Sequence, residues 1–124
     1  MLRDLLLVGA GSCLGGMSRY LISLFMKEVG TGFPWGTLAV NLAGCFFIGF
    51  FHALSQRYLA LPAHFTLFLT TGFCGGFTTF STFSKEGLAL LQAGNLSGFA
   101  AYVLVSVVLG LWFVALGYFV PLGR

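Results

Sequence analysis

Four long apolar runs occupy almost the whole of this 124-residue chain, at about 5–26, 35–54, 65–92 and 96–120. A helix crossing the hydrocarbon core of a bilayer needs about 20 such residues, so four crossings leave only short loops and ends. Charged residues make up 7% of the chain, against roughly 25% in a soluble domain, which is too few to cover a water-facing surface. A mean hydropathy of +0.98 excludes intrinsic disorder. Three widely spaced cysteines do not make a disulfide scaffold. The first run is too long for a signal-peptide core and has no clean cleavage site. The expectation is an all-α, multi-pass protein of the cell membrane, folded as one transmembrane domain over 1–124.

Lys27-Glu28-Val29-Gly30-Thr31-Gly32 and Gly94-Asn95 read as loops, and Pro34 and Pro62 stand where helices can begin. The third run is the informative one. Gly72, Gly75 and Gly76 are followed closely by Thr78, Thr79, Ser81 and Thr82, which weakens a continuous helix. Unwound backbone at membrane depth is tolerated only where protein or a wet cavity surrounds it. Broken helices of this kind recur at ion sites, where free carbonyls coordinate cations. Gly72 and Gly76 also form a G-x-x-x-G pair suited to close helix packing. The hydroxyls clustered beside the glycines favour a break.

Orientation is weakly encoded. Four crossings put both termini and the second loop on one side, with Arg3, Arg57 and Arg124. The other side carries Lys27, joined by Arg19 and Lys85 if these snorkel outward. So small a bias under the positive-inside rule permits insertion both ways round, although charge alone favours one ordinary topology.

The stretch from Leu5 to Gly15 mimics a strand followed by a glycine-rich nucleotide turn, and Glu28 falls near the ribose-binding distance. No strand and helix units follow to build such a fold, so Gly11 and Gly15 read instead as a small-residue packing face. Cys13, Cys45 and Cys74 lack metal-ligand spacing and read as packing residues. His52 and His64 lie near span ends, and no catalytic motif is present, so no enzyme is expected.

The remaining polar residues within the spans are the candidates. Arg19, about 10 Å from the end of the first span at 1.5 Å per residue, either snorkels or faces a wet vestibule, where it would attract anions. Asn41, deep in the second span, can donate to an anion or bridge helices. Thr37 lies four residues earlier on the same face. Phe80 and Phe83 share a helical face. Their positive ring edges could line an anion path, while lipid contact or packing is the plainer use. Tyr102 and Ser106 can form a polar stripe on the fourth span, and Gly110 offers close approach. Lys85 and Glu86 either neutralise each other near an aqueous mouth, or Glu86 borders a pore.

Two segments carry a family resemblance. Gly36-Thr37-Leu38-Ala39-Val40-Asn41-Leu42 and Thr70-Thr71-Gly72-Phe73-Cys74-Gly75-Gly76-Phe77-Thr78-Thr79-Phe80-Ser81-Thr82-Phe83-Ser84 are similar to the hallmark segments of the Fluc (CrcB) fluoride channels. Length, four spans and early glycines followed by Arg19 match as well. The resemblance implies a fluoride-selective channel, built as an antiparallel, dual-topology homodimer with two pores and a third helix broken at the glycines. It implies a structural sodium ion at the dimer centre, held by backbone carbonyls at Gly75 and Thr78. Phe80, Phe83 and Asn41 would line the pores, Arg19 the vestibule, and Tyr102 and Ser106 a hydroxyl track that this sequence interrupts at Gly110. Thr37, Ser81, Thr82 and Glu86 are carried over beside them. The partners implied are fluoride, a second copy of the chain and the bilayer, with no nucleic acid.

Two alternatives remain outside the resemblance. A four-span multidrug transporter that exports cations relies on a carboxylate in its first span, and here none lies past Asp4 in that run. A non-transporting scaffold would need only the G-x-x-x-G faces, which leaves the segment Thr78 to Phe83 without a purpose.

Overall fold

Helix α1 (Leu2–Met26) and helix α2 (Trp35–Arg57) come first. The third span follows in two pieces, α3 (63–77) and α4 (Phe80–Gln92), and α5 (Leu96–Phe119) closes the bundle. The computed structural model describes residues 1–26, 32–57 and 61–121. Lys27, Glu28 and Arg124, used above in weighing charge and nucleotide spacing, lie outside the described residues. The Leu5–Gly15 stretch is an uninterrupted part of α1, which disposes of the strand it mimics.

At 1.5 Å per residue, the 25 residues of α1 and the 24 of α5 extend for about 37 and 36 Å. That exceeds the roughly 30 Å hydrocarbon core. Helices α1 and α2 each run beyond their apolar stretch, α1 starting at Leu2 and α2 ending at Arg57. Leu5, Leu14, Leu21, Leu104, Leu111 and Trp112 all lie on the outside, while the fully buried apolar side chains are few. An outer surface so apolar suits lipid or a partner and not water.

The helices meet through glycine. On α1, Gly11 and Gly15 are buried, and a Cβ at Gly11 would stand 2.6 Å from the Phe68 carbonyl oxygen. A Cβ at Gly76 would stand 2.5 Å from the Ser12 carbonyl oxygen. Gly49 of α2 lies against the backbone of Val114 and Tyr118 on α5, and Gly117 returns the contact onto Phe46 and Phe50. In both seams the residue numbers rise together, so α1 runs parallel to α3 and α2 parallel to α5, as an up-and-down bundle requires. Without a hydrophobic drive between helices in lipid, such close backbone approach supplies the association.

The ends of α4 and α5 follow from local chemistry. Gly94 has a positive φ of 77°, its N–H reaches the Leu91 carbonyl at 3.0 Å, and the Asn95 N–H reaches Leu90 at 2.9 Å. These are the paired bonds of a Schellman stop. The Asn95 side chain then accepts the Gly98 N–H at 2.8 Å, capping α5.

Inside α3 the ladder widens to a π register over Phe68–Cys74, and Gly75 N–H reaches back to the Thr70 carbonyl. Thr70 Oγ1 bonds its own i−4 carbonyl, Thr66, at 2.8 Å, a side-chain contact that loosens a helix. Gly72, Gly75 and Gly76 themselves stay helical. The break expected at the glycine-rich segment falls at its end, where Thr78 and Thr79 turn extended with ψ of 161° and 122°. The glycines bring α3 onto α1, and the hydroxyl residues after them part the helix.

Gly76→Ala is expected to destabilise the protein by about 1–3 kcal/mol, the usual cost of overpacking. Gly9→Ala, whose Cβ would meet nothing within 4 Å, should be neutral or stabilising. Thermal aggregation midpoints of the two variants in detergent test the difference.

Candidate functional site

Several polar groups within the bundle gather around the gap in the third span. Asn41 sits mid-way along α2 and faces it. Its Nδ2 donates to the Thr79 carbonyl at 3.1 Å, while its Oδ1 accepts the Thr79 N–H at 2.8 Å. One side chain thus satisfies both backbone groups of the extended residue, where unpaired they would cost about 1–3 kcal/mol each. Thr79 in turn caps α4, its Oγ1 accepting the Thr82 N–H at 3.2 Å. Its hydroxyl lies 3.4 Å from that of Ser81.

These bonds leave two carbonyls behind. In an unbroken helix the Thr79 N–H would bond Gly75, and the Thr82 N–H would bond Thr78. Both donors are diverted to side chains, so the Gly75 and Thr78 carbonyls drop out of the ladder. Cys74 takes the Thr78 N–H at 3.0 Å and the Thr78 hydroxyl at 2.9 Å. The carbonyl end of α3 carries partial negative charge, and the amide end of α4 beside it carries partial positive charge. A pair of freed neutral oxygens at such an end fits a hard cation that prefers oxygen ligands.

Gly75 and Thr78 open onto a groove of about 640 Å³, also lined by Asn41, Cys45, Phe80, Phe83 and Ser106. Phe80 is 79% exposed on its rim. Its ring centroid is 5.8 Å from that of Phe83, which lies 4.9 Å from Tyr102. Phe33 completes the ladder, edge-on to Tyr102 at 5.4 Å. Tyr102 is wholly buried among Leu38, Leu90 and these rings. Its hydroxyl stands beside Thr37 and Glu86 without making a hydrogen bond of normal geometry. The Ser106 hydroxyl is likewise buried and unpartnered.

Thr37, Thr82 and Glu86 line a second groove of about 810 Å³, with Lys85 at its edge. Glu86 accepts a hydrogen bond from the Thr37 hydroxyl. Successive residues on a helix point apart, and Glu86 is paired across to α2, not neutralised by Lys85. Arg19 is bound as well, its Nε donating to the Gly76 carbonyl at 3.2 Å. It therefore ties α1 to the residue between the two freed carbonyls. Ser81 is exposed on the first turn of α4.

Thr79 is not among the residues to which the resemblance gives a role, yet it anchors the gap. Its signal was present, because a threonine three residues before Thr82 at the start of a helical run has the spacing of an N-cap. Ser12, whose hydroxyl donates to the Gly72 carbonyl at 3.3 Å, and Phe33 carry no comparable signature.

A multi-pass membrane protein with a broken helix, freed carbonyls and an unpartnered hydroxyl in a groove has the build of an ion-conducting protein. The family described as CrcB-like protein, Camphor Resistance (CrcB), matches residues 6–118. The chain is 50% identical over 107 residues to the fluoride-specific ion channel FluC of Chlorobium phaeobacteroides, covering 86% of this chain and 84% of that one. It is 47% identical over 117 residues to the protein of the same name from Phocaeicola vulgatus, covering 94% and 96%. For the Leptospira interrogans protein of that name the identity is 42% over 116 residues, covering 93% and 91%. This chain belongs to the CrcB family, and these relatives are ion channels and not enzymes.

Asn41→Leu is expected to leave both Thr79 backbone groups unpaired and to destabilise the protein by about 2–5 kcal/mol. Hydrogen exchange of the Thr79 amide should accelerate, while the Gly98 amide, capped independently by Asn95, should not change.

Proposed function

We propose that this chain forms a fluoride-selective channel that lowers cytoplasmic fluoride by passive export. The observation that carries the reading is the pair of buried, unpartnered hydroxyls at Tyr102 and Ser106. Donors left unsatisfied in an apolar interior are costly, and an anion passing through supplies the missing acceptor. The names of the relatives specify which anion.

Fluoride is small and strongly hydrated, so a path through the bilayer has to replace its water with donors. Thr37, Asn41 and Ser106 line the two grooves, the buried Tyr102 stands beside Thr37, and Ser81 and Thr82 supply hydroxyls at the start of α4. The Asn41 amide nitrogen has two N–H groups, and only one is committed to Thr79. The edges of Phe80 and Phe83 carry positive potential and hold an anion weakly, as conduction requires. Arg19 raises the local anion concentration. Glu86, tied to Thr37, sets the polar end of the path. Fluoride that enters acidified cells as neutral HF dissociates inside, and a passive channel returns the anion.

The second copy of the chain supplies the missing wall. Both grooves are open to the outside of the single chain, and among the described residues the exposed Phe80 has no partner ring except Phe83. An antiparallel homodimer closes the grooves into two pores, and the weak charge bias of the loops accommodates the two orientations. The carbonyls of Gly75 and Thr78, released by the break, would hold a structural sodium ion at the centre. When bound, sodium would neutralise the carbonyl ends that meet there.

In liposomes loaded with potassium fluoride, the purified protein should release fluoride rapidly, as followed with a fluoride electrode, and chloride far more slowly. Absence of fluoride release from monodisperse protein would overturn the reading. Phe80→Ile or Phe83→Ile should cut the flux by about tenfold or more, equivalent to about 1.4 kcal/mol of barrier, without changing the elution volume of the dimer. Flux equal to wild type in both variants would remove the rings from the path.

A further inference from the structure

The seam between α2 and α5 is built in rungs four residues apart. Thr37 stands beside Tyr102, and Gly49 packs on Val114. Asn41 and Ser106 occupy the second rung and both face the open groove. At the third rung α5 offers only Gly110, and the atom facing it is sulfur: a Cβ there would lie 3.5 Å from Cys45 Sγ. Cys45 lines the same groove as Asn41 and Ser106. The two hydroxyls that α5 contributes to the first two rungs, on the wholly buried Tyr102 and on Ser106, have no hydrogen-bond partner. They leave this face of the seam with donors that no protein group meets.

We propose that the Cys45 thiol lines the anion path as its third donor, taking from α2 the place that α5 leaves empty at Gly110. This rests on the fluoride-channel reading above. A thiol is a weak hydrogen-bond donor. At the groove end of the seam a weak donor lets the anion leave, after the stronger hydroxyl and amide donors of the first two rungs. Cys45 is half-buried and lines the groove, which gives a small thiol reagent a way to reach it.

Fluoride efflux from liposomes gives the test, with wild type as the reference. Cys45→Ala is expected to lower flux by about threefold, as the loss of one weak hydrogen bond would give. Gly110→Ser in the same chain should restore it by returning a hydroxyl from α5, whereas Gly110→Ala, which fills the space without a donor, should not. Restoration by both, or wild-type flux in Cys45→Ala, would overturn the assignment. As a measurement independent of those variants, methyl methanethiosulfonate should inhibit the Cys13→Ala protein and leave Cys13→Ala/Cys45→Ser conducting. Equal response of the two would also overturn it. Wild-type protein that passes no fluoride would instead defeat the channel reading itself, and mass spectrometry would still report whether Cys45 is reached by reagent in the folded protein.

Discussion

Two hydrogen bonds between the Asn41 amide and the backbone of Thr79 hold open a gap in a helix that would otherwise cross the membrane whole. In hydrocarbon an extended residue is tolerable only if its own N–H and C=O are both met, and one asparagine meets both. The other features of the site follow from that pairing. Thr79 is fixed where it can cap α4. The Gly75 and Thr78 carbonyls lose their donors, and Phe80 begins a new helix facing outward with Phe83 one turn below. Arg19 braces the far side by holding the Gly76 carbonyl. The amide therefore works as the bridge between helices that the sequence allowed, while its second N–H stays available to an anion.

Much of this was legible residue by residue. The apolar runs marked the helices, Gly94-Asn95 marked a stop and a start, and Gly11 and Gly15 marked a packing face. For the glycine-rich segment, close packing and a break stand as alternatives in the sequence, and the hydroxyls favour the break. The segment does the first, and the break lies just beyond it at Thr78 and Thr79. That displacement was not readable locally, because the group that captures Thr79 lies 38 residues away on α2. Glu86 taught the same lesson. Its sequence neighbour Lys85 suggested a partner, but the partner chosen by the fold is Thr37, 49 positions away. The family segments placed these residues together in order without saying which touches which. Cys45 read only as packing, since its setting depends on a missing side chain at Gly110 on another helix.

The bundle is thin for what it holds. Few apolar side chains are fully buried, and the largest of them, Tyr102, carries an unsatisfied hydroxyl. Cohesion comes instead from backbone meeting backbone at Gly11, Gly15, Gly49, Gly76 and Gly117, where no methyl group fits. Such seams are narrow and stiff. They leave the wider faces of the helices free for lipid and for a second chain, and they fix the register that lines up Thr37 with Tyr102 and Cys45 with Gly110.

The divided third span also bears on how the protein is made. Helices α1, α2 and α5 are each long and apolar enough to cross a membrane by themselves. Neither α3 nor α4 meets that description, and α4 brings Lys85 and Glu86 with it. During synthesis its emerging halves therefore have too little apolar length to leave the insertion machinery unaided. They have to be retained until α1 offers its glycine face to α3 and Asn41 is in position to receive Thr79. Assembly of the first two helices thus comes before the third can settle in the bilayer, so that the order of the chain is also the order of its insertion.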